Sequence, residues 1–208
     1  MALPVEKIPV RRFTPEEYME LEEQALEKSE YIDGFIYAMS GSTPKHALIT
    51  ANVIGNLVPG LKKGICRVYS GDLKIASDMR GHFTYPDAVV VCGKPRFHDK
   101  FQNVLLNPTV IIEVLSPSTE AYDRGDKFKR YRRIGSLTDY LLIAQDQPLV
   151  EHFSKQADGW VMQDADKLSG KIKLKTLKMT LALTDLYDGI EFDTEAGWSE
   201  RERTRPIQ

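Results

Sequence analysis

Apolar residues recur along the chain at two different periods, and each change of period marks an element. Thr14-Pro15-Glu16-Glu17 is a helix start in which Thr14 caps, Pro15 takes the first turn and Glu17 reaches back to the cap amide. The helix runs on to about Leu26 with Tyr18, Leu21 and Ala25 on one face. Tyr31-Ile32 and Phe35 to Met39 flank Asp33-Gly34, which predicts a tight hairpin because glycine accepts a positive φ. Thr43-Pro44 opens a second helix, with Ala47, Leu48, Ala51, Ile54 and Leu57-Val58 spaced for burial, and Pro59-Gly60 predicts its end.

Beyond it the pattern turns extended. Ile65 to Tyr69 and Asp72 to Ala76 read as strands, while Asp87 to Cys92 and Thr109 to Leu115 are short, nearly all-apolar and rich in β-branched residues, as suits strands covered on both faces. From Thr119 to Ile134 the chain is polar with a helical stripe of Tyr122, Phe128, Tyr131 and Ile134, and Gly135 stops it. Asp139 to Ala144 is another buried strand. Pro148 to Ser154, Gly159 to Gln163 and Lys171 to Leu177 predict a β meander of more exposed strands, and Leu183 to Tyr187 one helical turn. No repeat, linker or second-domain boundary interrupts this order, which predicts one α/β domain over residues 1–208, with its core at about 44–144 and a fraying tail at 195–208. In such a sheet chemistry sits at strand ends.

Composition narrows the function classes. In 208 residues, 42% are hydrophobic and 28% charged, ordinary for a folded soluble chain. The 28 Lys and Arg against 30 Asp and Glu leave a formal net charge of -2, which excludes a polybasic protein that grips nucleic acid by bulk charge. Contact with phosphates therefore needs a local cluster or a bound cation. No apolar run approaches the ~20 residues of a membrane span. Cys66 and Cys92 lie among apolar neighbours with no zinc-type spacing, so both are expected as buried reduced thiols in a cytoplasmic protein, not as a disulfide.

Two carboxylates stand out against their surroundings: Asp87 ahead of Ala88 to Val91, and Glu113 within Val110 to Leu115. Burying a lone carboxylate costs several kcal/mol unless it is paired, protonated or bound to a cation. Oxygens converging from neighbouring strands suit a hard divalent ion, with the Val114 carbonyl a candidate further ligand. Downstream, Arg124, Lys127, Lys129, Arg130, Arg132 and Arg133 outnumber Glu120, Asp123 and Asp126. Asp123, Lys127 and Tyr131 are four apart and share a helix face, so the Lys127 ammonium is directed toward the sheet and Glu113. His46, in the first turn of its helix, stands at the mouth of such a site. His82, His98 and His152 show no ligand spacing and receive no role.

These residues carry a resemblance. Pro86-Asp87, Glu113-Val114-Leu115-Ser116-Pro117-Ser118, then Asp123, Lys127, Tyr131 and Gly135, preceded by Glu30-Tyr31-Ile32-Asp33-Gly34 and His46, resemble the Uma-two-type endonuclease family of the PD-(D/E)XK restriction-endonuclease-like superfamily over roughly residues 14–153. The resemblance implies a core of helix, three strands, helix and strand, with an N-terminal helix and hairpin before it and the β meander after it. It also implies a Mg²⁺- or Mn²⁺-dependent phosphodiesterase acting on nucleic acid, DNA first, with Asp87 and Glu113 as catalytic metal ligands. Leu115 stands where the superfamily usually has a lysine two residues after the acid, so that role moves to Lys127, with Lys129 the substitute. Glu30, Asp72 and Tyr131 are accessory candidates beside His46. Restriction-like folds often cut two strands with two sites, which makes a homodimer the expected assembly. Leu115 also keeps a second reading open: a nuclease-like fold that binds nucleic acid or protein without cutting. A glycoside hydrolase using Asp87 and Glu113 lacks an aromatic sugar platform.

Overall fold

The chain is described by a computed structural model covering residues 11–39 and 41–192. Helix α1 (Pro15–Gln24) begins with the anticipated capping box: the Glu17 amide donates to Thr14 Oγ1 and the Thr14 amide to the Glu17 carboxylate. Replacing Thr14 by Ala removes one half of that exchange and is expected to cost about 1 kcal/mol, read as a lower midpoint in urea. Strands β1 (Ser29–Ile32) and β2 (Phe35–Ala38) form the hairpin, turning on Asp33 and Gly34, both with positive φ (51° and 94°). That is the primed turn whose twist matches paired strands.

Helix α2 (Pro44–Leu61) starts at the Thr43 cap as expected but does not stop at Pro59. Proline would clash with the carbonyl four residues back and leave it unpaired. That residue is Gly55, which like Pro59 faces solvent, so the turn can open and water can take the carbonyl. Gly60 lies against the end of the Met179 side chain, which would have to shift to admit a Cβ there.

Strands β3 (Cys66–Ser70), β4 (Lys74–Asp78), β5 (His82–Thr84), β6 (Ala88–Cys92), β7 (Val104–Leu105) and β8 (Val110–Val114) follow. The helical segment after β8 is broken into α3 (Glu120–Tyr122), a π turn over Asp123–Lys127, and α4 (Phe128–Tyr131). Strands β9 (Asp139–Ile143), β10 (Val150–Gln156), β11 (Gly159–Ala165), β12 (Lys171–Leu174) and β13 (Met179–Ala182), and the single turn α5 (Leu183–Leu186), complete the described chain. The expected fraying tail lies outside the described residues.

The central sheet has six strands in the order β11-β10-β9-β8-β6-β3, with β8 and β9 parallel and their neighbours antiparallel. Within it α2, β3, β6, β8, the segment ending in α4, and β9 reproduce the helix, three strands, helix, strand order. One face of the sheet packs Val110, Ile112, Leu141 and Ile143 against Ile49, Val53 and Leu57 of α2 and against Leu174 and Leu181 of the β12–β13 ribbon. The other packs Ile111, Leu115, Tyr140 and Leu142 against Tyr131 and Ile134. A second sheet, β2-β1-β5-β4-β7, adds a cluster of Tyr18, Tyr31 and Phe83 with stacked rings. The predicted meander is therefore divided: β10 and β11 extend the central sheet, and β12 and β13 form a ribbon of their own.

The thiol expectation is overturned. Cys66 and Cys92 are opposite one another in the β3–β6 register, with Cα atoms 3.9 Å apart, and their sulfurs are bonded. Strand register, which brings together two residues 26 apart in sequence, is not written in their local neighbours. The cytoplasmic expectation loses the support it drew from free thiols. Among the described residues no helix is long and apolar enough to cross a membrane.

Candidate active site

The register of the sheet assembles the site. Because β6 and β8 pair antiparallel with Ala88 opposite Ile112, the residue before β6 falls level with the residue after Ile112: Asp87 with Glu113. An Asp87 carboxylate oxygen, Oδ2, accepts the Val114 amide at 2.7 Å, which ties the Pro86-Asp87 turn to the end of β8. Glu113 alternates with Ile111 and Leu115, so its side chain enters the sheet face covered by α4, where it is 4% exposed.

Lys127 meets it there. The ammonium is 2.9 Å from Glu113 Oε1, 3.2 Å from Asp123 Oδ1 and 3.4 Å from Glu30 Oε1, and the side chain is nearly inaccessible. The π turn carries this arrangement. A widened turn puts the first and last of its five residues, Asp123 and Lys127, on the inner face, with Tyr131 of the next turn above them. The Tyr131 hydroxyl, itself 2.8 Å from Thr84 Oγ1, donates to Glu113 Oε1 at 3.1 Å, so that oxygen is held by Tyr131 and Lys127 while Oε2 has no hydrogen-bond partner among the described residues. Glu30, on β1, is fixed by the Tyr85 amide at 3.3 Å.

Charge here is unbalanced. Glu30, Glu113 and Asp123 surround one ammonium, and Asp87 adjoins them. Burial pushes the Glu113 carboxyl well above the ordinary range; the Lys127 ammonium offsets this only in part, and Asp123, Asp87 and Glu30 add to it. Burial alone would lower Lys127, but the facing acids, Glu113 first, hold its pKa well above the usual lysine value, so it stays charged. Asp123 Oδ1 is buried, and the Lys127 ammonium at 3.2 Å is the charge that faces it.

His46, at the start of α2, closes the opposite side. Its Nε2 is 3.4 Å from Asp87 Oδ2. Burial works to lower its pKa, but Asp87 and the Val114 carbonyl outweigh that and raise it. The oxygens concerned are those that a divalent metal would take. Two strand-end carboxylates and a carbonyl are the kinds of oxygen ligand by which Mg²⁺ is commonly held. Among the described residues, no three His, Cys, Asp or Glu side chains form a ready-made metal cage.

Other expected residues lie elsewhere. Asp72 is on the surface, its side chain 84% exposed and paired with Lys28 at 2.8 Å. Lys129 is exposed on the outer side of α4. Residues given no role enter the surrounding shell: His82 Nε2 is 2.9 Å from the Tyr122 hydroxyl, and His82 is fully buried. Asp123 was visible in sequence through its four-residue spacing from Lys127. His82 lacked any such sign, because its strand β5 is only three residues long.

Comparison with known proteins follows from this geometry. Residues 15–184 match the model of the Uma2 family, described as "Putative restriction endonuclease". Two proteins of Synechocystis sp., both described as uncharacterized, are similar over most of their lengths. Protein slr1290 is 37% identical over 185 residues, spanning 88% of this chain and 96% of that protein. Protein sll1609 is 34% identical over 167 residues, spanning 80% and 94%. A crystal structure from Anabaena variabilis, described as a putative nuclease belonging to DUF820, superposes with a TM-score of 0.71 at 21% identity, covering 86% of this chain and 99% of that one.

Proposed function

The chain belongs to the Uma2 family, and from that premise we propose that it is a divalent-metal-dependent endonuclease hydrolysing phosphodiester bonds of DNA. The observation that carries this reading is the convergence of Glu30, Glu113 and Asp123 on one buried ammonium, with Asp87 level with Glu113 in the strand register and facing the His46 imidazole at 3.4 Å. Three acids sharing one ammonium are costly in a folded protein unless a further cation joins them.

Asp87, Glu113 and the Val114 carbonyl would hold Mg²⁺ or Mn²⁺, which when bound supplies a Lewis acid for the phosphoryl oxygen and lowers the pKa of a water. The chain's own groups do the rest. Tyr131 and Thr84 fix the Glu113 carboxylate; Lys127 orients the attacking water and offsets charge on the phosphorus-bound oxygens as they become more negative. Glu30 and Asp123 hold the Lys127 ammonium in place and keep it protonated. His46, 3.4 Å from Asp87 Oδ2, would give up that contact to a bound divalent cation. Two strands require two such sites, which a homodimer of the chain provides; the mass in solution tests that assembly.

Purified protein incubated with supercoiled plasmid and Mg²⁺ or Mn²⁺ is expected to convert it to nicked and linear forms. Asp87→Asn is expected to weaken Mn²⁺ binding at least about tenfold by calorimetry and to stop conversion. Plasmid cleavage that survives both Asp87→Asn and Glu113→Gln would sink the site. Metal binding at neither site and no cleavage by the unaltered chain would favour the other reading, a binding module on a nuclease-like fold.

A further inference from the structure

The opposite face of the central sheet carries a second polar constellation that the proposed hydrolysis does not use. Asp139 begins β9 and pairs with Val110, whereas Glu113 pairs with Leu142, three residues further along. At about 3.3 Å per residue the two acids are separated by about 10 Å along the strands. They also point to opposite faces: Asp139 alternates with Leu141 and Ile143, which pack toward α2, and Glu113 packs toward α4. The sheet itself divides the two places.

Asp139 is 3% exposed and His152, on the neighbouring β10, is 4% exposed. Asp139 Oδ1 is 2.8 Å from His152 Nε2, and Oδ2 accepts the Thr138 hydroxyl at 2.7 Å. Burial works against the ionised Asp139, but hydrogen bonds from His152, Thr138 and Thr176 outweigh it and lower the pKa, so the carboxylate is ionised and accepts the Nε2 proton. His152 Nε2 is thereby occupied, and Nδ1 has no hydrogen-bond partner among the described residues.

His152 lines a cleft of about 370 Å³ bounded by β10, β11 and the end of β12. Ser154, Gln163 and Thr176 supply hydroxyls and an amide, and the exposed Lys173 and Lys175 stand on its rim. The third lysine of the lining, Lys155, turns its ammonium to the Gly135 carbonyl at 3.4 Å. Two rim lysines thus share the cleft with a single carboxylate whose two oxygens are both engaged. This excludes a metal ion, which would need those oxygens and would be repelled by the lysines. An apolar ligand would leave the hydroxyls and amide unsatisfied. What remains is an anion with a polar body attached: charge for the lysine pair, and a hydrogen-bonding group for His152 Nδ1. The volume falls in the ordinary range for a small-molecule site.

We infer that this cleft binds a small phosphate monoester with a polar, hydrogen-bonding body, of the size of a mononucleotide, with its phosphate on Lys173 and Lys175 and a polar group of that body on His152 Nδ1. The site is independent of the hydrolytic reading, being on the other side of the sheet.

Calorimetry with the full chain, using AMP as the probe without added metal, tests it. AMP is expected to bind, and adenosine and inorganic phosphate, each offering half of the chemistry, to bind at least about tenfold more weakly. Lys173→Ala with Lys175→Ala is expected to weaken AMP at least about tenfold, and Lys173→Arg with Lys175→Arg to retain it. These side chains are exposed, so folding is not at stake. No AMP binding at millimolar concentration would overturn the inference, as would AMP binding indifferent to the lysine pair. A 5′-phosphorylated oligonucleotide that displaces AMP at lower concentration would overturn the small-ligand assignment in favour of a strand end.

Discussion

Lys127→Met is expected to slow metal-dependent plasmid cleavage by about 10²- to 10³-fold, the usual loss when one preorganised donor to a developing negative charge is removed. Methionine fills much of the lysine's volume, so the buried layer beneath Tyr131 stays packed. What disappears is the charge. Glu113, Glu30 and Asp123 then face one another without compensation, and removing one partner from a buried ion cluster typically costs about 3–5 kcal/mol. Some of that loss is recovered as the carboxyls take up protons. A divalent cation is the other remedy, so Mg²⁺ should raise the unfolding midpoint of Lys127→Met more than that of the unaltered chain. This pair of readouts separates a positioning role from a structural one. A variant that is merely unstable would regain its rate once Mg²⁺ restored the fold; one lacking the group that orients water would stay slow when fully folded. Cleavage within about threefold of the unaltered rate would remove Lys127 from the mechanism.

The residues that assemble this centre differ in how plainly they could be read. Asp87 and Glu113 are conspicuous because apolar strands do not tolerate unexplained charge, and the antiparallel register then sets them level. The Asp33-Gly34 hairpin carries Glu30 inward, although a hairpin-edge glutamate is ordinarily solvated. Lys127 was aimed at Glu113 by helical spacing alone. Its true setting, a π turn, depends on one hydrogen-bond shift that leaves no mark in the apolar stripe. Helix α2 passes Pro59 because Gly55 happens to stand four residues before it, facing water. The Cys66–Cys92 bond and the splitting of the meander are matters of register and sheet partnership. Both are decided by contacts between segments far apart in sequence, where local propensity has no say.

Acid should expose a further weakness built around His82. Its ring is fully buried, 2.9 Å from the Tyr122 hydroxyl, and burial pushes its pKa from 6.5 down to about 3, with the Arg130 and Lys127 charges adding to the effect. The folded chain therefore refuses a proton that the unfolded chain accepts below pH 6.5. Stability from this group is complete above that pH and is lost as the pH falls toward about 3, at ~1.4 kcal/mol per unit. Glu113 acts in the opposite sense, since its raised pKa lets the folded state take up a proton before the unfolded state does. Comparing the unaltered chain with His82→Phe cancels that contribution. Between pH 7 and pH 5 the unaltered chain is expected to lose about 2 kcal/mol more than the variant, measured by urea unfolding. Parallel losses would mean that His82 is protonated in the folded state. In that case a third positive charge would share the layer of Lys127 and Arg130, and the excess of carboxylates that argues for a metal would be smaller by one.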